Sequence, residues 1–340
     1  SFKCDLATFY RIHFYSRIAF RFYREIARFS CSDKEILYRN VQSSFDWVKW
    51  LPPERSFCVH VTGKNTLLRH SHFTALQVKN AIIDLQKSTF GTRSNISLEY
   101  PYLAIHLHIQ DDNAILSLNG TYDSLHKRGY RPAMADAPLK ENLAAGLIKL
   151  TEWDGNKPLI DIMCGSGTLL IEAISQHLQI PNLIKKSYLF ENWLDFANDI
   201  FISEKLKLKT NYTNDFKRSK LIGCEIDSEI FSQARKNISL AGVDNFIQIF
   251  NSDFADLNNK YQPGIIICNP PYGKRIGDVK ELENLYFKLG DNLKKKFSGW
   301  TFWLLSGNPN LTKYLRMKAT IKIPINNGGI DCRWIKYLIR

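Results

Sequence analysis

From Pro158 to Ser306 short apolar runs alternate with amphipathic stretches of helical length, and this alternation limits the fold more than any other feature of the chain. The pattern predicts strands over 158–163, 220–226, 246–250, 264–268 and 299–306, with helices over 167–178, 228–241 and 281–297. Strands alternating with helices argue for a parallel, doubly wound α/β sheet. The end of the chain departs from that scheme. Ala319 to Ile325 and Ile330 to Ile339 flank Asn326-Asn327-Gly328-Gly329, which predicts an antiparallel hairpin at the sheet edge.

The front of the 340-residue chain is organised differently. Residues 1–48 read as helical, with Leu6, Phe9, Tyr10, Phe14 and Ile18 at helical spacing. Within them Arg11, Arg17, Arg21, Arg24 and Arg28 interleave with Phe14, Tyr15, Phe20, Phe22 and Tyr23, and the alternation over 17–29 fits a strand with basic residues on its solvent face. After the break at Pro52-Pro53, the order strand (56–62), helix (73–85), strand (103–109) and strand (114–119) predicts a small α/β module. The polar, basic stretch 123–136 is the expected junction, and a helix is expected from Pro138 to about Thr151. The expected domains are 1–48, 49–122 and 123–340. The abrupt start reads as the interior of a domain whose first part lies upstream.

Lys and Arg number 46 against 33 Asp and Glu, a net charge of +13. Residues 1–87 hold 14 basic against 7 acidic residues and the other 253 hold 32 against 26, so about half of the surplus sits in the first quarter. Such a surplus points to a polyanion such as nucleic acid, or to an anionic membrane surface. Apolar runs such as 264–268 are far too short to span a bilayer, and the N-terminus carries no apolar signal core. Seven cysteines without a Cys-x-x-Cys pair read as reduced thiols of a cytosolic protein, with Cys4, Cys31, Cys58 and Cys332 as small buried hydrophobes. His70/His72 and His106/His108 could each share a strand face, but neither pair has a third ligand nearby. Both read as structural, and no metal is expected.

Four motifs carry chemistry. In Asp161-Ile-Met-Cys164-Gly165-Ser166-Gly167-Thr168 a strand turns into a helix, where glycines let a ligand approach the backbone and the helix N-terminus offers free N–H groups. Leu170 and Ile171 follow, so the third glycine of the dinucleotide fingerprint is absent. Asp161 is placed to hold a cationic or amino group; its alternative role is a turn former. In Glu225-Ile-Asp227 an acid ends the second strand, as a ribose diol requires, although an insertion over about 181–220 separates it from the first motif. Glu225 is the expected ribose ligand and Asp227 a cap for the next helix. After the third strand, Asp253 could accept from an adenine amino group with Phe254 beside the ring. After the fourth come Asn269-Pro270-Pro271-Tyr272-Gly273. Two prolines fix the backbone, so the Asn269 side chain and the Pro270 carbonyl become two aimed acceptors for an exocyclic NH2, and Tyr272 offers a face for base stacking.

In this order the motifs resemble the S-adenosylmethionine-dependent amino-methyltransferases. A narrower resemblance covers almost the whole chain. His126-Lys-Arg-Gly-Tyr-Arg131, Ala137-Pro-Leu-Lys-Glu-Asn-Leu-Ala-Ala145, Ile171-Glu-Ala173 and Phe190-Glu-Asn-Trp193 are similar to the bacterial THUMP-domain RNA methyltransferases, in particular the RlmL-type 23S rRNA guanine-N2 family. The resemblance implies a Rossmann-like class I methyltransferase sheet over 123–340, a THUMP module over 49–122 and part of a ferredoxin-like domain over 1–48. It implies S-adenosyl-L-methionine as cofactor, held by Asp161, Cys164, Gly165 and Gly167, with Glu225 on the ribose and Asp253 and Phe254 on the adenine. Asn269, Pro270, Pro271 and Tyr272 would face the target base, with Asn269 also near the cofactor, and Ala137 to Lys140 would lie near its methionine end. The implied partner is RNA, 23S rRNA or a ribosomal precursor particle. Ile162 departs from the family, which usually has Pro there, and should alter strand-end rigidity more than chemistry.

The chemistry expected is direct transfer to an aligned amine, which needs no strong general base. Adenine-N6 methylation of DNA or RNA uses the same loop and is the alternative within enzymes. A noncatalytic RNA-binding protein on this fold is a second alternative, opposed by the intact glycines, Glu225 and Asn269. Release-factor methylation would leave the basic front module without a purpose.

Overall fold

The structure, a computed structural model, describes residues 1–131, 139–182, 187–208, 220–257, 259–271 and 279–340. In chain order the first elements are α1 (Leu6–Tyr15), β1 (Tyr23–Ser30), α2 (Lys34–Ser43), α3 (Trp47–Trp50), β2 (Phe57–Lys64), α4 (Ser71–Phe90), β3 (Leu103–Gln110) and β4 (Asn113–Asn119). Next come α5 (Glu141–Thr151), β5 (Leu159–Asp161), α6 (Thr168–His177), α7 (Asn198–Leu206), β6 (Leu221–Glu225), α8 (Ser228–Leu240) and β7 (Gln248–Asn251). The chain closes with β8 (Ile265–Cys268), α9 (Val279–Lys296), β9 (Thr301–Ser306), β10 (Ala319–Asn327) and β11 (Ile330–Leu338). Two compact units result. One holds residues 1–14, 19–125 and 184–208; the other holds 15–18, 126–183 and 209–340.

The first unit is built on a four-stranded sheet in the order β1-β4-β3-β2, in which β2 and β3 are parallel and the other pairs antiparallel. Of the two readings open for residues 17–29, the strand forms, but only over Tyr23–Ser30, with 17–22 outside it. Its burial alternates only in part, because a bulge between Glu25 and Ala27 interrupts the register with β4. The turn after β3 places Asp111 at φ 54°, the left-handed region where Asp is tolerated. Thr62 Oγ1 lies 3.0 Å from His106 Nε2 and 2.9 Å from His108 Nδ1, and His70 precedes the first turn of α4.

Residues 187–208, part of the insertion after α6, belong to this first unit. Tyr10 packs its ring against Phe190 (4.9 Å between centroids), Phe196 (5.8 Å) and Phe201 (5.6 Å), and its hydroxyl accepts the Ala197 N–H at 3.1 Å. Arg11 Nε donates to Glu204 at 2.8 Å beside this aromatic cluster. Cys4, expected to be buried, is exposed; Cys31, Cys58 and Cys332 are buried. Residues 1–5 precede α1 and are exposed.

The second unit holds a seven-stranded sheet in the order β10-β11-β9-β8-β5-β6-β7. β7, β6, β5, β8 and β9 are mutually parallel, and β11 alone runs against its neighbours β9 and β10. This is the class I methyltransferase arrangement, and the terminal hairpin forms as its turn sequence predicts. Adjacent residues of each strand point to opposite faces. Leu159, Leu221, Ile265 and Trp303 join α5, α6 and α8 in one apolar layer; Ile160, Ile222, Ile266 and Phe302 join α9 in the other. Burial on both faces explains why these strands read as continuous apolar runs. Gly223 in β6 admits α6 at close range, since a Cβ there would sit 2.7 Å from Leu170 Cδ1 and 3.1 Å from Cys164 Cβ. Among the described residues no helix is long and apolar enough to cross a membrane.

Candidate functional site

Every motif residue that the structure describes lies at or beyond the carboxyl end of β5, β6, β7 or β8. The connections leave β5 toward β6 on one side and return to β8 on the other, the topological switch point where doubly wound sheets bind ligands. Asp161 stands opposite Gly223 of β6 and Ile267 of β8. Two residues further on, those neighbouring strands deliver Glu225 and Asn269.

Asp161 is 1% exposed, and its Oδ1 accepts the Met163 N–H at 3.3 Å. Burial pushes its carboxyl up to about 7, and the Glu225 carboxylate adds to the shift. A buried acid with so little compensation suits a cationic partner. The loop that follows is held from three sides. Cys164 N donates to Cys224 O at 2.8 Å, Gly167 N to Cys164 O at 2.9 Å, and Asn237 Nδ2 of α8 to Ser166 O at 3.0 Å. Gly165 (φ 52°) and Gly167 (φ 81°) take the left-handed backbone that this turn requires, and Gly167 opens α6. The Cys164 thiol is raised well above its ordinary value by burial, so it serves as packing rather than as a nucleophile.

Glu225 uses both oxygens on backbone donors. Oε2 accepts the Gly165 N–H at 2.9 Å and Oε1 the Asp227 N–H at 3.0 Å. Each oxygen keeps a second lone pair, so the carboxylate remains able to accept two hydroxyls. Asp227 caps α8, taking Glu229 N at 2.8 Å and Ile230 N at 3.0 Å, a contribution of about 1 kcal/mol to the helix. Asp253 takes Ala255 N at 2.9 Å and opens a short 3-10 helix, Phe254–Asp256, with Phe254 half-buried against the α9 layer.

Asn269 follows β8 directly. Its Oδ1 is buried and has no hydrogen-bond partner among the described residues. Pro270 is buried and Pro271 exposed. Tyr272, Gly273, Ala137 and Pro138 lie outside the described residues. Such an orphaned acceptor is costly, about 1–3 kcal/mol, unless a ligand donor satisfies it. The donor set therefore fits S-adenosylmethionine and an amine acceptor. A buried acid could hold an ammonium group, an oriented carboxylate could accept a diol, and a buried amide oxygen could accept from an NH2. Among the described residues no group of three His, Cys, Asp or Glu side chains could hold a metal ion.

The motifs did not disclose Asn237 or Gly223. Asn237 is 7% exposed on the α8 face that also buries Ala234 and Ile238. A polar residue at an apolar helical position was its only signal. Gly223 is a glycine inside an apolar strand, which marks close approach.

Residues 128–336 match the model of the RMKL-like methyltransferase domain, and residues 31–119 match the THUMP domain. A Synechocystis sp. protein, provisionally named an RNA methyltransferase, is 40% identical over 338 residues, 99% of this chain and 88% of the relative. A Vibrio parahaemolyticus protein named ribosomal RNA large subunit methyltransferase K/L is 36% identical over 343 residues, 99% of this chain but 48% of the relative. The chain thus spans about half the length of that relative. The crystal structure of SMU.472, provisionally described as a methyltransferase and solved with SAH, superposes with a TM-score of 0.85 at 25% identity, covering 99% of this chain and 88% of that one.

Proposed function

The chain belongs to the THUMP-bearing RMKL-like methyltransferase family, and from that premise we propose that it methylates an exocyclic amino group of an RNA base, guanine N2 of 23S rRNA, with S-adenosyl-L-methionine as donor. The observation that carries this reading is the buried Oδ1 of Asn269 at the end of β8, which has no hydrogen-bond partner among the described residues. The ribosomal target is supported by the name of the Vibrio relative.

S-adenosylmethionine, when bound, supplies an electrophilic methyl carbon on a sulfonium. The chain's own residues then align and select. Asp161 would hold the ammonium of the methionine end, and Glu225 the ribose hydroxyls, without losing the Gly165 and Asp227 N–H groups that orient it. Asp253 keeps an oxygen for the adenine amino group. Asn269 Oδ1 and the Pro270 carbonyl would accept the two hydrogens of the target NH2, turning its lone pair toward the methyl carbon. Positive charge grows on that nitrogen during transfer, and two fixed acceptors stabilise it. The excess proton leaves to water, so no strong base is needed. The basic front of the chain would hold the RNA phosphates, with the salt sensitivity such contacts bring.

The test is transfer of labelled methyl from S-adenosylmethionine to RNA taken from cells lacking the protein, followed by nucleoside identification. N2-methylguanosine in 23S rRNA is the expected product. Labelled N6-methyladenine would overturn the choice of base. RNA binding without transfer would overturn the enzymatic reading.

A further inference from the structure

Glu172 is 0% exposed in the middle of α6, within the apolar run Leu169–Ile174. Two arginines and a tyrosine converge on it. Arg17 NH1 lies 2.8 Å from Oε2, Arg128 Nε 3.5 Å from Oε1, and the Tyr130 hydroxyl donates to Oε1 at 3.2 Å. Arg17, Arg128 and Tyr130 are all buried. One carboxylate thereby gathers two segments far apart in sequence, 15–18 and 126–131. Further bonds lock them. Arg17 NH2 donates to Ile180 O at 2.8 Å, Arg128 to Arg17 O, and Asn182 to Ser16 O. A buried ion cluster adds little net stability over apolar packing of the same volume, so its presence speaks for a required geometry.

The second segment continues to the cofactor loop. Arg131 pairs with Glu141 of α5 at 2.8 Å, donates to Leu139 O at 3.2 Å, and reaches Thr168 Oγ1 at 3.4 Å. Thr168 is the first residue of α6, and its hydroxyl lies 3.1 Å from Ser166 Oγ between the two loop glycines. The 126–131 segment therefore touches α6 twice, at Glu172 and one turn earlier at Thr168. We propose that Glu172 and Arg131 are positioning residues for the cofactor loop: Glu172 anchors the segment, and Arg131 passes that anchorage through Thr168 to Ser166. This rests on the reading of the loop as the S-adenosylmethionine site.

Calorimetric titration with S-adenosylhomocysteine and with adenosine, at a temperature well below melting, tests the assignment without reference to turnover. Arg131→Ala should weaken S-adenosylhomocysteine binding about tenfold and adenosine binding less than threefold, because the loop would meet the methionine end directly and the ribose only through Glu225. Amide exchange at Ser166 and Thr168 should quicken in the ligand-free protein, and Arg131→Lys should restore part of the affinity. Glu172→Gln should act in the same direction with a lower melting temperature; Arg131→Ala keeps the test valid should that variant not fold. Unchanged dissociation constants and exchange for Arg131→Ala would overturn the proposal. So would equal losses for both ligands, which mark a merely structural role. A wild-type protein that binds neither ligand would instead overturn the cofactor reading.

Discussion

The carboxylate of Glu225, at the end of β6, accepts the backbone N–H of Gly165 in the loop after β5 at 2.9 Å. The residue proposed for the ribose is thus also a support for the glycine turn. Replacing it should cost more than lost ligand contacts. Charge-assisted bonds of this kind contribute about 1.5–3 kcal/mol each, so Glu225→Ala should weaken S-adenosylmethionine binding by about 10–100-fold or more. Glu225→Gln should be nearly as harmful, since its amide would turn an NH2 toward one of two N–H groups. Amide exchange at Gly165 should accelerate in both variants even without ligand. Weakened binding with unchanged exchange at Gly165 would mean that Glu225 acts on the ligand alone.

Cofactor affinity should depend on pH through Asp161, whose carboxyl burial raises to about 7. An ammonium partner requires the carboxylate. Below about pH 7 binding must expel a proton, and affinity should fall as much as tenfold per pH unit; above it the dependence should flatten. In the ligand-free protein the sign is opposite for stability. A carboxyl raised above its unfolded value favours the fold at low pH, and that contribution is lost as pH rises toward 7. Titrations in buffers of different ionisation enthalpy should show proton release on binding near pH 6, and Asp161→Asn should abolish it. Persistence of the release in that variant would assign the proton elsewhere.

His13 should work the other way. It is buried among Phe9, Phe22, Tyr188 and Phe190, and burial lowers its value from 6.5 to about 4. The unfolded chain takes up this proton first. His13 therefore contributes its full stability above about pH 6.5, and loses it as pH falls through 4, a swing of about 3 kcal/mol. Urea unfolding at pH 7.5 and 4.5 should show that loss in the wild type and a smaller one in His13→Leu. Equal losses would show that His13 is not the titrating group.

The parts of the candidate site whose placement is legible in the sequence are those encoded locally. A strand end followed by Gly-x-Gly, an acid closing an apolar run and an Asn-Pro-Pro turn each restrict the backbone where they stand, so Gly167, Asp227 and Asn269 fall where their neighbours dictate. The terminal hairpin was legible for the same reason, through Asn326 to Gly329. What stayed hidden depends on partners distant in sequence. Nothing around Tyr10 announces Phe190, and nothing around Arg17 announces Glu172. The strand Tyr23–Ser30 competed with a helical reading because its bulge breaks the alternation that would have marked it. Cys4 shows the limit of composition: a thiol is buried only where its segment has a face to pack.

The buried Oδ1 of Asn269, without a hydrogen-bond partner among the described residues, yields the most direct test of the chemistry. The cofactor contacts proposed for Asp161, Gly165 and Glu225 come from other strand ends, so Asn269→Ala should bind S-adenosylmethionine within about threefold of the wild type. Its transfer rate should fall by about 100–1,000-fold, the usual cost of removing one acceptor or donor aimed at a developing charge. Asn269→Ser, whose hydroxyl is shorter but still accepts, should recover a small part. Asn269→Asp should bind RNA more weakly through charge repulsion with phosphate, while keeping an acceptor for the amine. Removal of a buried oxygen with no partner among the described residues should also raise the melting temperature of Asn269→Ala in the ligand-free protein. A variant that gains stability, keeps the cofactor and loses transfer identifies Asn269 as catalytic. Equal loss of cofactor and transfer would make it a structural residue of the loop.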